Sequence, residues 1–261
     1  MATEPPATSP DRPELRASGP DLSLGHAALV AGTGLLLMAV VAVGSLLSIG
    51  AFVESGNAAA TAENVANDET QFRLALGGIL TIVLLDVVVA WALYVFLRPV
   101  NRSLSLLAML FRLVYAAIFG VALGNLLAIP ALVERSESAG AAQSQQLQEL
   151  ALLQFETFEA IWGLGLAIFG FHLVVVGYLA YDAKYVPSPV GALVALAGTG
   201  YVVDGVGAAA MEGYSLELSA FLFVGEIVLL VWLLYRGRTI ERSNQDAGVE
   251  SAQPTTGPDE D

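Results

Sequence analysis

Five residues of this sequence carry the chemistry of a site while standing in apolar surroundings: Asp86, Arg112, His172, Asp204 and Glu226. Three carboxyls, one guanidinium and one imidazole could exchange a proton, bind an anionic group, or serve as an acid and base pair. A charged group at a helix centre costs about 2.5–3.5 kcal/mol on membrane insertion scales. These side chains are therefore expected to point into a helix bundle and to find partners there. At about 1.5 Å per residue, Asp86, Arg112, His172 and Glu226 fall roughly 13–18 Å from one membrane face, near the midplane, and Asp204 at roughly 20 Å. Arginine keeps its proton whereas a carboxyl can neutralise. With one guanidinium against three carboxyls, at least one of Asp86, Asp204 and Glu226 is expected to be protonated near neutral pH.

The same residues also have a purely structural reading. Intramembrane polar pairs hold helices together, typically for about 0.6 kcal/mol each. Arg112 with one carboxylate reads equally well as a clamp or a site. His172 alone reads better as a satisfied interior histidine bridging two helices. Asp204 and Glu226 together lean towards function.

The elements that must position these residues are helices. Six stretches reach the roughly 20 apolar residues that a crossing needs: 26–53, 74–97, 104–132, 161–181, 190–211 and 216–235. Tyr94, Trp162, Tyr178, Tyr181, Tyr185, Tyr214, Trp232 and Tyr235 lie near their ends, where amphipathic rings settle at membrane interfaces. Pro99, Pro187 and Pro189 mark helix ends rather than interiors. The expected fold is all-α, a polytopic six-helix transmembrane bundle over 26–238. Disordered tails are expected over 1–25, rich in proline, and over 239–261, polar and acidic. Leu147, Leu150, Leu153 and Phe158 repeat at helical spacing, so the fourth helix should begin a turn or two outside the membrane. Asn101-Arg102-Ser103 matches a glycosylation sequon and reads as a chance match.

Composition agrees with this architecture. The chain has 261 residues, 56% of them hydrophobic and 14% charged, with a mean hydropathy of +0.67. Such figures do not suit a soluble domain or a disordered one. There is no cysteine, which removes disulfide scaffolds, thiolate metal sites and cysteine catalysis. A net charge of −14 makes nucleic acid an unsuitable partner. The acidity falls mainly on the outer face of the predicted bundle, where it aids solvation or attracts cations.

Orientation follows from the basic residues of the short loops. Arg12, Arg16, Arg98, Arg102, Lys184, Arg236, Arg238 and Arg242 fall on one side of a six-span arrangement, against Arg73 and Arg135 on the other. Both termini are thus expected in the cytoplasm, with the chain in the cell membrane and the lipid bilayer as its surroundings. Arg112, Ala116, Gly120, Gly124 and Ala128 form a small-residue stripe, and Gly200, Asp204, Gly207 and Ala208 share another face. Such faces allow close helix packing, within one chain or in a homo-oligomer.

Four groups of residues carry a family resemblance: Arg98-Pro99-Val100-Asn101-Arg102-Ser103-Leu104 with Phe111-Arg112-Leu113-Val114; Phe169-Gly170-Phe171-His172-Leu173 with Gly177-Tyr178-Leu179; Gly198-Thr199-Gly200-Tyr201-Val202-Val203-Asp204; and Gly225-Glu226-Ile227 with Trp232-Leu233-Leu234. In this order and spacing, over about residues 25–238, the chain resembles a prokaryotic family of multi-pass membrane proteins, the DUF4386 type, catalogued as a domain of unknown function. The resemblance implies the six-helix architecture and no established activity. It places Arg112, His172, Asp204 and Glu226 at the family's recurring polar positions, with Asp86 and the tails outside the pattern.

Several activities are excluded by residue type. Lys184 is the sole lysine and sits in a loop, so no retinal Schiff base can form within the bundle. His26 and His172 are the only histidines, which argues against a di-histidine haem and a zinc protease helix. The Gly32-x-Gly34 and Gly163-x-Gly165 pairs lie in spans and cannot be dinucleotide loops, and there is no nucleophile elbow. No cofactor or metal is therefore expected. The leading reading is a structural or regulatory membrane protein held by its polar layer. One alternative is a proton-coupled transporter or permease, with Arg112 binding an anionic group and Glu226 or Asp204 exchanging a proton. The other is an intramembrane enzyme acting on a lipid, with a carboxyl and His172 as acid and base, although no nucleophile is visible.

Overall fold

A computed structural model describes residues 22–211, 213–216, 218, 224–236 and 239. Nearly all of the expected tails, and the first part of the stretch 216–235, lie outside these residues. The described chain is helical: α1 (Leu24–Phe52), α2 (Ala58–Asn67), α3 (Glu69–Leu97), α4 (Arg102–Glu137), α5 (Ala141–Asp182), α6 (Ser188–Ala210) and a last helical stretch, α7, over 224–236. The all-α polytopic class stands. The count differs from six, because α2 forms between the first two spans. Five helices, α1 and α3–α6, are long and apolar enough to cross a membrane.

Local sequence sets the helix starts. Ser23, Asn57, Asp68 and Asn101 each accept a hydrogen bond from a first-turn backbone N–H, at 3.0–3.2 Å. Asn101, the residue of the apparent sequon, is thus the N-cap of α4. Gly56 takes a φ of +73°, the left-handed turn that sends the chain from α1 into α2. Helix α4 continues through the buried Pro130 to Glu137, beyond the limit expected at 132.

The helices form a ring. Helix α3 packs on α1 and α4, and α5 packs on α4 and α6. Helix α7 closes the circuit: Gly225 abuts the Leu193 backbone of α6, Gly32 of α1 lies against Leu234, and Trp232 meets Phe96 of α3 at 6.1 Å. Large apolar side chains look outward, as on α1 at Val40, Val43 and Leu47. A hydrocarbon surrounding removes the hydration cost those side chains would carry in water.

The closest helix contact differs from the expected one. Among the described residues nothing lies within 4 Å of where a Cβ would sit at Gly124, and at Gly120 the nearest atom is a Val83 methyl at 3.9 Å. Backbone-to-backbone approach occurs instead between α5 and α6. Gly170 and Gly198 face one another's carbonyls, and Gly177 lies against Ala195. The extension of α5 is also longer than a turn or two. It buries Ala151, Phe155 and Phe158, while Leu150 and Leu153 are exposed, so its apolar face is rotated from the expected one. Phe155 meets Phe72, which meets Phe52, edge to face at 5.9 and 5.3 Å. Together with α2 these rings cover the bundle end at which α1 finishes and α3 begins.

Candidate functional site

Three of the five predicted residues meet in the core. Arg112 of α4, Asp86 of α3 and His172 of α5 are all at most 2% exposed. The Arg112 Nε donates to Asp86 Oδ1 at 2.9 Å, and Nη2 lies 2.8 Å from the same oxygen. Nη1 stands 3.3 Å from His172 Nε2, and His172 Nδ1 stands 2.8 Å from the Ala108 carbonyl. A guanidinium only donates and a carbonyl only accepts. His172 must therefore carry its proton on Nδ1 and receive Arg112 at a bare Nε2. Nη2 also reaches Met38 Sδ of α1 at 3.7 Å, and the guanidinium carbon lies 5.3 Å from the Phe169 ring centre. One arginine thus ties four helices.

The pair is not symmetric. Both arginine contacts fall on Oδ1, and among the described residues the buried Asp86 Oδ2 has no hydrogen-bond partner. Asp86 also lines a cavity of about 450 Å³ at the centre of the ring. All six long elements, α1 and α3–α7, contribute to its wall. Its polar groups include Asp86, Arg112, Tyr115, Tyr201 and Glu226, and the rest is largely apolar, with Trp162, Phe119 and Phe169 along one side. Such volume and lining suit a small-molecule site.

Glu226 stands beside the Tyr201 hydroxyl on the cavity wall, within side-chain hydrogen-bonding reach of it. It shares the cavity with Arg112 but is not ion-paired with it; among the described residues Arg112 bridges Asp86. Behind the guanidinium lies a second void of about 10 Å³, also lined by Arg112, His172 and Glu226. Leu93, Leu173, Val176 and Leu229, all buried, close its other sides. The lining residues that are themselves exposed, Ala39, Val43 and Ile227, stand on α1 and α7. Among the described residues the mouth therefore lies between those two helices, beside outward apolar faces.

Asp204 is placed elsewhere. Its Oδ1 accepts from the Tyr214 hydroxyl at 2.8 Å and from the Leu218 backbone N–H at 3.1 Å. It holds the connection after α6, beside a separate pocket of about 210 Å³. Trp162, assigned to a membrane interface by its position, turns inward and donates to Tyr115 Oη at 3.3 Å. The aromatic wall escaped sequence reasoning because aromatic residues at span ends and in cores look alike. Among the described residues, no group of three or more His, Asp or Glu side chains could hold a metal.

A ring of membrane-length helices with a charged pair at its centre defines a polytopic helical membrane protein. Comparison with known proteins makes this specific. The family model described as "Domain of unknown function (DUF4386)" matches residues 30–237, and the chain belongs to that family. It is similar to a protein of Archaeoglobus fulgidus described as "Uncharacterized protein", with 37% identity over 163 residues, 62% of this chain and 83% of that protein. No solved structure matches the chain.

Proposed function

We propose that this protein binds a small amphiphilic molecule inside the membrane, in the central cavity, and that Arg112, Asp86 and His172 form the clamp that holds the cavity floor. The observation that carries the reading is the space itself: about 450 Å³, walled by six helical elements, apolar along its sides and polar at one end. The space opens beside the exposed Val43 and Ile227, so a molecule dissolved in the membrane can reach it. The enzyme reading loses support, because both His172 nitrogens are engaged. Arg112 as an anion receptor loses support likewise, because its guanidinium faces Asp86, His172 and Phe169.

Blocking the cavity tests the proposal. Ala42 lines it from α1, and Ala42→Phe should fill part of it. Calorimetric titration of the purified protein with cationic, anionic and neutral amphiphiles should give saturable heat with at least one of them, lost in Ala42→Phe. Identical titrations of the two proteins across the set would overturn it.

A permease is the second reading. Arg112 and Glu226 line both the cavity and the void behind it, so a thin polar partition separates the open side from the closed one. Alternating access needs such a partition. Solute uptake into liposomes, abolished by Glu226→Gln, would support it.

A further inference from the structure

We infer that the ligand of the central cavity is a lipophilic organic cation, with Glu226 as its counter-charge and the aromatic wall as its cradle. This rests on the binding reading above and adds the charge of the ligand.

Three observations converge. The first is the balance of charge at the polar end. Arg112 and Asp86 neutralise one another at 2.8 Å, so the carboxyl left to meet a ligand is Glu226, hydrogen-bonded to Tyr201, and a cation beside it would favour its charged form. An anion would meet that carboxyl and find the guanidinium already directed elsewhere. The second is the buried Asp86 Oδ2, which has no donor among the described residues. A carboxylate oxygen without a donor in a low-dielectric interior adds negative potential behind the cavity wall. The third is the lining. Tyr115, Phe119, Trp162 and Tyr201 stand round the same space; Phe119 is stacked between Tyr115 and Trp162, so these rings offer apolar contact to the substituents of a poorly hydrated cation such as a quaternary ammonium or phosphonium rather than open faces to its charge. The edge of this cradle is visible in the molecule's own cation, since Arg112 already sits over Phe169.

The mouth fits the same class. Val43 and Ile227 border it from the lipid-facing sides of α1 and α7, so entry is from an apolar phase. A cation with apolar substituents enters by that route, whereas a small hydrophilic cation does not.

Tetraphenylphosphonium and tetraphenylborate, nearly the same shape with opposite charge, separate the possibilities in calorimetric titrations of the whole protein in detergent, with Ala42→Phe as the blank. The expected result is saturable binding of the phosphonium above the blank and none of the borate. Glu226→Gln should weaken phosphonium binding by about tenfold or more, one charge contact of about 1.4 kcal/mol. Glu226→Asp, which keeps the charge, should retain most of it. If the borate binds as tightly as the phosphonium and both are lost in Ala42→Phe, the cavity binds ligands but the charge assignment is wrong. If neither exceeds the blank, both readings fall. Should Glu226→Gln not fold, the comparison of the two probes on the unaltered protein still decides. Phosphonium binding indifferent to a folded Glu226→Gln overturns the role given to Glu226.

Discussion

Arg112 and Asp86 meet at a single oxygen: Nε at 2.9 Å and Nη2 at 2.8 Å both reach Oδ1, and among the described residues Oδ2 is left without a partner. A side-on fork contact to both oxygens would satisfy the carboxylate more fully. The arrangement here keeps Nη1 for His172, so one guanidinium joins α3, α4 and α5 at a common level.

Removing one member of this pair should be costly. Asp86→Ala leaves a buried guanidinium without its counter-charge, an expected loss of about 3–5 kcal/mol. Replacing both members, as in Asp86→Leu with Arg112→Met, should recover most of it, because a well-packed apolar pair avoids the desolvation of two charges. Unfolding in mixed micelles measures both. A double variant as unstable as the two single losses added together would refute the clamp.

The hydrogen bonds of His172 dictate its tautomer. Nitrogen NMR of histidine-labelled protein, with His26→Gln leaving one imidazole, should show Nδ1 protonated and Nε2 bare at neutral pH. A ring protonated on Nε2 alone would contradict the Arg112 contact at 3.3 Å.

Close packing of α5 on α6 singles out Gly177. A Cβ there would strike the Ala195 backbone, and Gly177→Ala is expected to destabilise by about 1–3 kcal/mol. Gly124→Ala, with nothing within 4 Å among the described residues, should be neutral or slightly stabilising through helix propensity. Thermal melts of the two variants give the comparison, and equal melting temperatures would count against it.

Tyr185, in the connection between α5 and α6, donates to the Phe96 carbonyl at 2.7 Å. Burial pushes its hydroxyl from 10.0 up to about 12. The folded chain thus favours the neutral phenol. Its contribution is whole below pH 10 and is lost as pH rises through about 12. Tyr185→Phe should cost about 1 kcal/mol near neutrality. The gap between the two proteins should narrow from pH 10 upward, and a gap that widens there would reverse the assignment.

The sequence by itself determined the apolar helices and the fact that Asp86, Arg112, His172 and Glu226 cannot face lipid. Both follow from a local quantity, the cost of placing a given residue in hydrocarbon at a given depth. Depth could not choose between carboxyls. Asp86, the residue outside the family's recurring polar positions, is the one that holds Arg112, whereas Asp204 caps the chain after α6. That choice depends on which helices are neighbours and on the rotation of each about its axis, neither of which leaves a mark on one chain's composition. The cavity is of the same kind. Aromatic rings at positions 115, 119, 162 and 201 read as ordinary packing until six helices are arranged in a ring and the space between them is left open. Local solvation fixes what must be inside; only the tertiary arrangement decides what it faces there.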